Sequence, residues 1–116
     1  MNVPMLPDLP NWAWHEYGMR VGFWRLLNTL KKRNICSTLA LNATVIDHYP
    51  ETVEAAMNEQ WEPLGHGYIQ RPMHKVDNEF VDIKSAIEKI NKFTKQEIIG
   101  WESPGSVSYT HLTLPT

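Results

Sequence analysis

Residues 37–66, "STLALNATVIDHYPETVEAAMNEQWEPLGH", place two short apolar runs on either side of an amphipathic segment. The first run, "STLALN" at 37–42, is bounded by polar residues as a buried strand is, although its length alone leaves a helix segment open. Pro50 suits the first position of a helix, where a missing N–H costs nothing. Glu51 and Glu54 lie toward that helix's positive end, and Val53, Ala56 and Met57 point to its inner face. Trp61 to His66 reads as a second strand. Strand, helix, strand at this spacing predicts an α/β fold with a parallel sheet.

The flanks extend the alternation. Upstream, Tyr17, Val21, Trp24, Leu27 and Leu30 recur every three or four positions and predict a helix over about 14–33, with Gly18 and Gly22 weakening its first turns. Lys31, Lys32 and Arg33 suit the last turn of that helix, where cations complement the dipole. Residues 1–12, with three of the eight prolines, read as an extended lead-in. Downstream, Phe80, Ile83, Ile87 and Ile90 mark a helix over about 77–95 that Asp77 would cap and that Lys92 and Lys95 would close. "EIIGW" at 97–101 predicts a third strand. The last eleven residues, 106–116, carry no charged side chain and are rich in Ser and Thr; they read as a non-native or disordered tail.

Composition narrows the function classes. A chain of 116 residues holds one small domain, whereas a complete (β/α) barrel needs roughly 250. A net charge of −2 and a pI near 6.2 provide no basic field for phosphate backbones, which disfavours nucleic acid as a partner. Cys36 is the single cysteine, so neither an intrachain disulfide nor a cysteine zinc cluster can form, and a cytoplasmic setting fits. No apolar run approaches the ~20 residues that span a bilayer, so no membrane partner is expected.

In parallel α/β folds functional groups gather at the C-terminal edge of the sheet, which directs attention to Asn42, His66 and Trp101. His66 stands between Gly65 and Gly67, where the backbone can turn sharply and carry the ring into a cleft. A lone histidine beside glycine is more often structural than functional.

Three segments add weight: "HEYGMRVGFWRLL" at 15–27, "LNATVIDHYPETVEAAMNEQWEPLGHGYIQRP" at 41–72 and "IIGWESPG" at 98–105. In this order they resemble the polysaccharide deacetylase superfamily, in particular its intracellular branch of metal-independent allantoinases and related amide hydrolases, over about 7–105. The resemblance implies a distorted (β/α) barrel that hydrolyses a carbon–nitrogen bond other than a peptide bond, in a small ureide ring or an N-acetylated sugar. Residues 1–105 are then a partial barrel, an internal fragment expected to be inactive alone.

The family pattern is met at His66 and Gly67, but Gln70 stands where metal-binding members carry a second histidine. Gln is a poor zinc ligand beside imidazole. His74 is off the family's ligand spacing and reads as a solvated loop residue. The family's first-strand aspartate pair has no counterpart here, Asp8 lying in the lead-in. No cofactor is therefore expected, with zinc or another divalent metal held through His66 as the alternative for a longer parent.

The resemblance further implies that His66 is the catalytic group and that Glu16, Arg20 and Trp101 bind the substrate. The plain reading of Glu16 and Arg20 is an i, i+4 surface ion pair. Trp12, Trp14, Trp24, Trp61 and Trp101 read first as core or rim packing, with Trp101 alone at a motif position. A small-molecule substrate and a homo-oligomer are the partners compatible with this reading. A second class fits Gln70 as well: a non-catalytic carbohydrate- or ligand-binding domain on the same scaffold.

Overall fold

The computed structural model describes residues 8–71 and 76–104; His74 and the proposed tail at 106–116 lie outside them. The chain runs α1 (Leu9–Tyr17), a π-helical turn (Gly18–Gly22), α2 (Phe23–Lys32), β1 (Thr38–Leu41), α3 (Val45–His48), α4 (Pro50–Asn58), β2 (Glu62–Gly65) and α5 (Glu79–Thr94). β1 and β2 pair in parallel, from Thr38 opposite Glu62 to Leu41 opposite Gly65. The predicted strand, helix, strand order holds, with the short α3 inserted before α4.

Four expectations are corrected. The lead-in is helical from Leu9, because Asp8 accepts the Asn11 N–H at 3.2 Å and Pro10 occupies the first turn, where its missing N–H breaks no bond. The predicted helix over 14–33 is interrupted: the Phe23 N–H reaches back five residues to the Gly18 carbonyl, the signature of a π-turn. Asn78, not Asp77, caps α5 through the Val81 N–H at 3.1 Å. That register leaves Phe80 62% exposed and makes Ile83, Ala86 and Ile90 the buried stripe.

The predicted strand over 97–101 shrinks to one parallel bridge between Trp101 and Gly65. Its cause is a competing partner: the Ile98 N–H goes to the Asn91 side chain at 2.9 Å instead of to a ladder. The bridge is nevertheless tight, with the Gly65 N–H on Gly100 O at 3.0 Å and the Glu102 N–H on Gly65 O at 2.9 Å.

Successive strand residues alternate faces, and here only one face is packed. Leu41 joins Ala43, Ile46, Val53, Ala86, Ile90 and Ile98 in the main core, and a smaller cluster of Leu27, Ala56 and Trp61 seats α2. Leu39 and Met57 touch both. On the opposite face Ala40 is exposed and Leu64 is half-buried beside Gly100. Among the described residues nothing covers that apolar face. Lys89 of α5 reaches the Asp47 carboxylate at 2.7 Å and so joins α5 to α3; that hydrogen bond holds the ammonium above the usual lysine range.

Candidate functional site

His66 follows β2 by one residue and is fastened at three points. Its N–H extends the ladder to Leu41 O at 3.0 Å, its carbonyl accepts the Asn42 side-chain amide at 2.5 Å, and its Nδ1 lies 2.7 Å from the Glu102 carbonyl. A carbonyl can only accept, so Nδ1 carries a proton, and the tautomer this selects for a neutral ring has its lone pair at Nε2. A second-partner contact of this kind fixes tautomer and orientation for a base or a metal ligand. His66 is half-buried.

The glycines around His66 have separate reasons. Gly65 lies under the Trp101 ring, where an added Cβ would come within 2.5 Å of Cε3. Gly67 has φ +92° and sits against Pro104, which a Cβ would meet at 2.7 Å. Residues 98–104 are thus pressed onto β2, and this brings the Glu102 carbonyl to the imidazole. Trp101 itself is half-buried against the main core, its indole N–H 3.3 Å from Ser103 Oγ.

A second group stands on the same sheet edge. α2 runs down to the start of β1 and α4 departs beyond its end, so the π-turn and Tyr49, the residue before α4, both lie toward the C-terminal side of the strands. There Glu16 accepts Arg20 Nε at 2.6 Å and the Tyr49 hydroxyl, while the Arg20 guanidinium lies 5.9 Å from the Tyr49 ring centroid. The Tyr49 hydroxyl and then Arg20 hold the Glu16 carboxyl below the usual carboxylate range; Glu16 in turn raises both Arg20 and Tyr49.

The structure therefore pairs Glu16 with Arg20 and adds Tyr49, places His66 with Asn42 and the Glu102 carbonyl, and packs Trp101 over Gly65. Gln70 is exposed. Among the described residues no three His, Cys, Asp or Glu side chains converge to hold a metal ion. A catalytic zinc takes about three protein ligands, and the donor set at this point of the described residues is one imidazole, which does not by itself fit a metal centre. No described helix is long and apolar enough to cross a membrane.

No family model matches the chain. A Schizosaccharomyces pombe protein described as "Putative polysaccharide deacetylase" is 32% identical over 80 residues, 66% of this chain and 25% of that protein. Among solved structures, PuuE allantoinase superposes with a TM-score of 0.76 at 26% identity, covering 81% of this chain and 32% of the other. A polysaccharide deacetylase from Mycobacterium smegmatis, also titled putative, gives 0.70 at 24% identity over 77% and 32%, a likeness of fold. The chain thus spans about a quarter to a third of the length of these proteins.

Proposed function

Because this chain belongs to the polysaccharide deacetylase superfamily, we propose that its parent protein hydrolyses a non-peptide carbon–nitrogen bond, with His66 handling the proton at the reaction centre. The observation that carries this is the 2.7 Å contact from His66 Nδ1 to the Glu102 carbonyl, which leaves Nε2 as a preset acceptor at the strand edge. The scaffold in this reading is part of a (β/α) barrel. The uncovered face of Ala40 and Leu64 supports it, since the interior of such a barrel is a layer of packed apolar side chains.

Hydrolysis of an amide needs an activated water, an oxyanion stabiliser and an acid for the leaving nitrogen. His66 serves the first and last in turn. Nε2 takes a proton from water as its oxygen bonds to the carbonyl carbon; the imidazolium returns that proton to nitrogen as the C–N bond breaks, giving a carboxylic acid and a ureido group from a cyclic ureide, or acetic acid and an amine from an N-acetylated sugar. Gln70 favours the metal-independent, allantoinase-like form with a cyclic ureide substrate over an N-acetylated sugar. Zinc or another divalent ion, were the parent to bring further ligands, would instead activate the water directly. A cytoplasmic setting belongs to the same reading.

The test uses the full-length gene product with a cyclic ureide and an N-acetylated sugar. Activity on the ureide should survive chelation, and His66→Ala should lower kcat by about 10²–10⁴-fold, the range for a general acid–base group, while the melting temperature stays near that of the parent. Loss of activity on chelation with rescue by zinc would make His66 a metal ligand. Hydrolysis of neither substrate by the well-folded protein would favour a binding domain.

A further inference from the structure

Among the described residues Arg20 is held by one edge only. Its Nε is bound to Glu16, whose other oxygen is taken by the Tyr49 hydroxyl, yet the Arg20 side chain is 69% exposed against 21% for Glu16. An ordinary i, i+4 surface pair is two flexible chains sharing solvent; here the carboxylate is the inner member and is fastened from a second element. Glu16 thereby sets the plane of the guanidinium, and the two Nη groups are left facing outward. A π-turn carries Arg20, and such turns are common at functional sites. The half-buried Tyr49 ring walls one side.

A guanidinium with Nε occupied and its Nη groups free suits a planar acceptor that offers oxygen atoms, either a carboxylate or the carbonyls of an imide-like ring. The geometry points to Arg20 as the substrate's anchor, reading that planar oxygen-bearing group, with Glu16 and Tyr49 as positioning residues that fix its plane. This rests on the hydrolase reading above and assigns its recognition step. Tyr49 reaches the cluster from the connection after β1 and His66 from the end of β2, so anchor and proton acceptor approach the substrate from one sheet edge.

The full-length protein tests it. Arg20→Lys keeps the charge and loses the planar fork; it should raise KM for a cyclic ureide about tenfold or more, with kcat changed far less. Tyr49→Phe should raise KM by about threefold to tenfold, and Glu16→Gln should act in the same direction. A purely structural role predicts instead parallel loss of folded protein and of kcat, with KM unmoved. Titration calorimetry with hydantoin and with acetate provides an arm that needs no turnover. Weakened hydantoin binding in Arg20→Lys assigns the fork to ring carbonyls, and weakened acetate binding assigns it to a carboxylate. If the parent is active and His66→Ala is not, but both KM and probe binding are unchanged in Arg20→Lys and Tyr49→Phe, the anchor is wrong and the hydrolase reading stands. If the parent hydrolyses neither substrate class, the hydrolase reading falls, and binding of the two probes decides the anchor alone. A parent that binds neither probe overturns it.

Discussion

The N-terminal arm, α1 to α2, and the β1–α4–β2–α5 unit both carry apolar side chains and use them in opposite ways. In the unit, Leu41, Val53, Ala86 and Ile90 are each at most 2% exposed. In α1 no residue is buried, and Trp12 and Trp14 are 62% and 76% exposed. The arm is attached through Phe23, Leu27 and Leu30 of α2 against Ala56 and Trp61, through Lys31 to Glu59 at 3.1 Å, and through Glu16 to Tyr49. A periodic apolar stripe therefore states only that a face wants cover. Whether the cover is present depends on which other elements the protein supplies.

The largest expected effect sharpens this contrast. Ile90→Ala removes a fully buried side chain from the main core and should cost about 2–5 kcal/mol. Trp14→Ala deletes a larger side chain and should change stability by under about 0.5 kcal/mol. Urea unfolding of the chain measures both. A Trp14 cost comparable to that of Ile90 would mean that α1 is packed in solution, as within a homo-oligomer, and would break the comparison.

A smaller effect separates the two glycines at the site. Gly65→Ala forces its Cβ against the rigid Trp101 ring, and Gly67→Ala combines a positive φ with the Pro104 contact. Each should cost about 1–3 kcal/mol. Gly18→Ala in the arm meets nothing within 4 Å and should be neutral or slightly stabilising. Destabilisation by Gly18→Ala as large as that by Gly65→Ala would show the arm to be packed more closely than its exposure indicates.

The same contrast explains what could be read in the residues beforehand. β1, α4 and β2 were legible because local signals agree there: short apolar runs, Pro50 opening a helix, and Val53, Ala56 and Met57 on one face. The start of α1 is hidden because clustered prolines signal extended chain, although Asp8 followed closely by Pro10 is also a helix opening. The strand over 97–101 failed for a non-local reason, since nothing near Ile98 shows that Asn91 will take its N–H. His66 was legible as a histidine between glycines at a strand end. Its partner was not, because a backbone carbonyl carries no residue signature and Glu102 lies 36 positions away. Tyr49 is 33 positions from Glu16, and only its place before Pro50, at the helix start beyond β1, hinted at the sheet edge.

The smallest expected effect concerns the polar attachment of the arm. Glu16 titrates below the usual carboxylate range because the Tyr49 hydroxyl and Arg20 favour its ionised form. A depressed acid adds stability that is complete above its unfolded pKa, about 4.3 for Glu, and is lost as pH falls through the lower folded value. Tyr49 is raised by the same contact, so its share is complete below the unfolded phenol value of about 10 and lost as pH climbs through the raised one. Between those limits the arm's attachment should not vary with pH. An NMR titration of the Glu16 carboxyl checks the source: in Tyr49→Phe its midpoint should move up toward the ordinary value, because the largest stabiliser of the carboxylate is gone. A midpoint unchanged by that substitution would leave Arg20 as its only tether and reduce the link between arm and sheet edge to an ordinary helix pair.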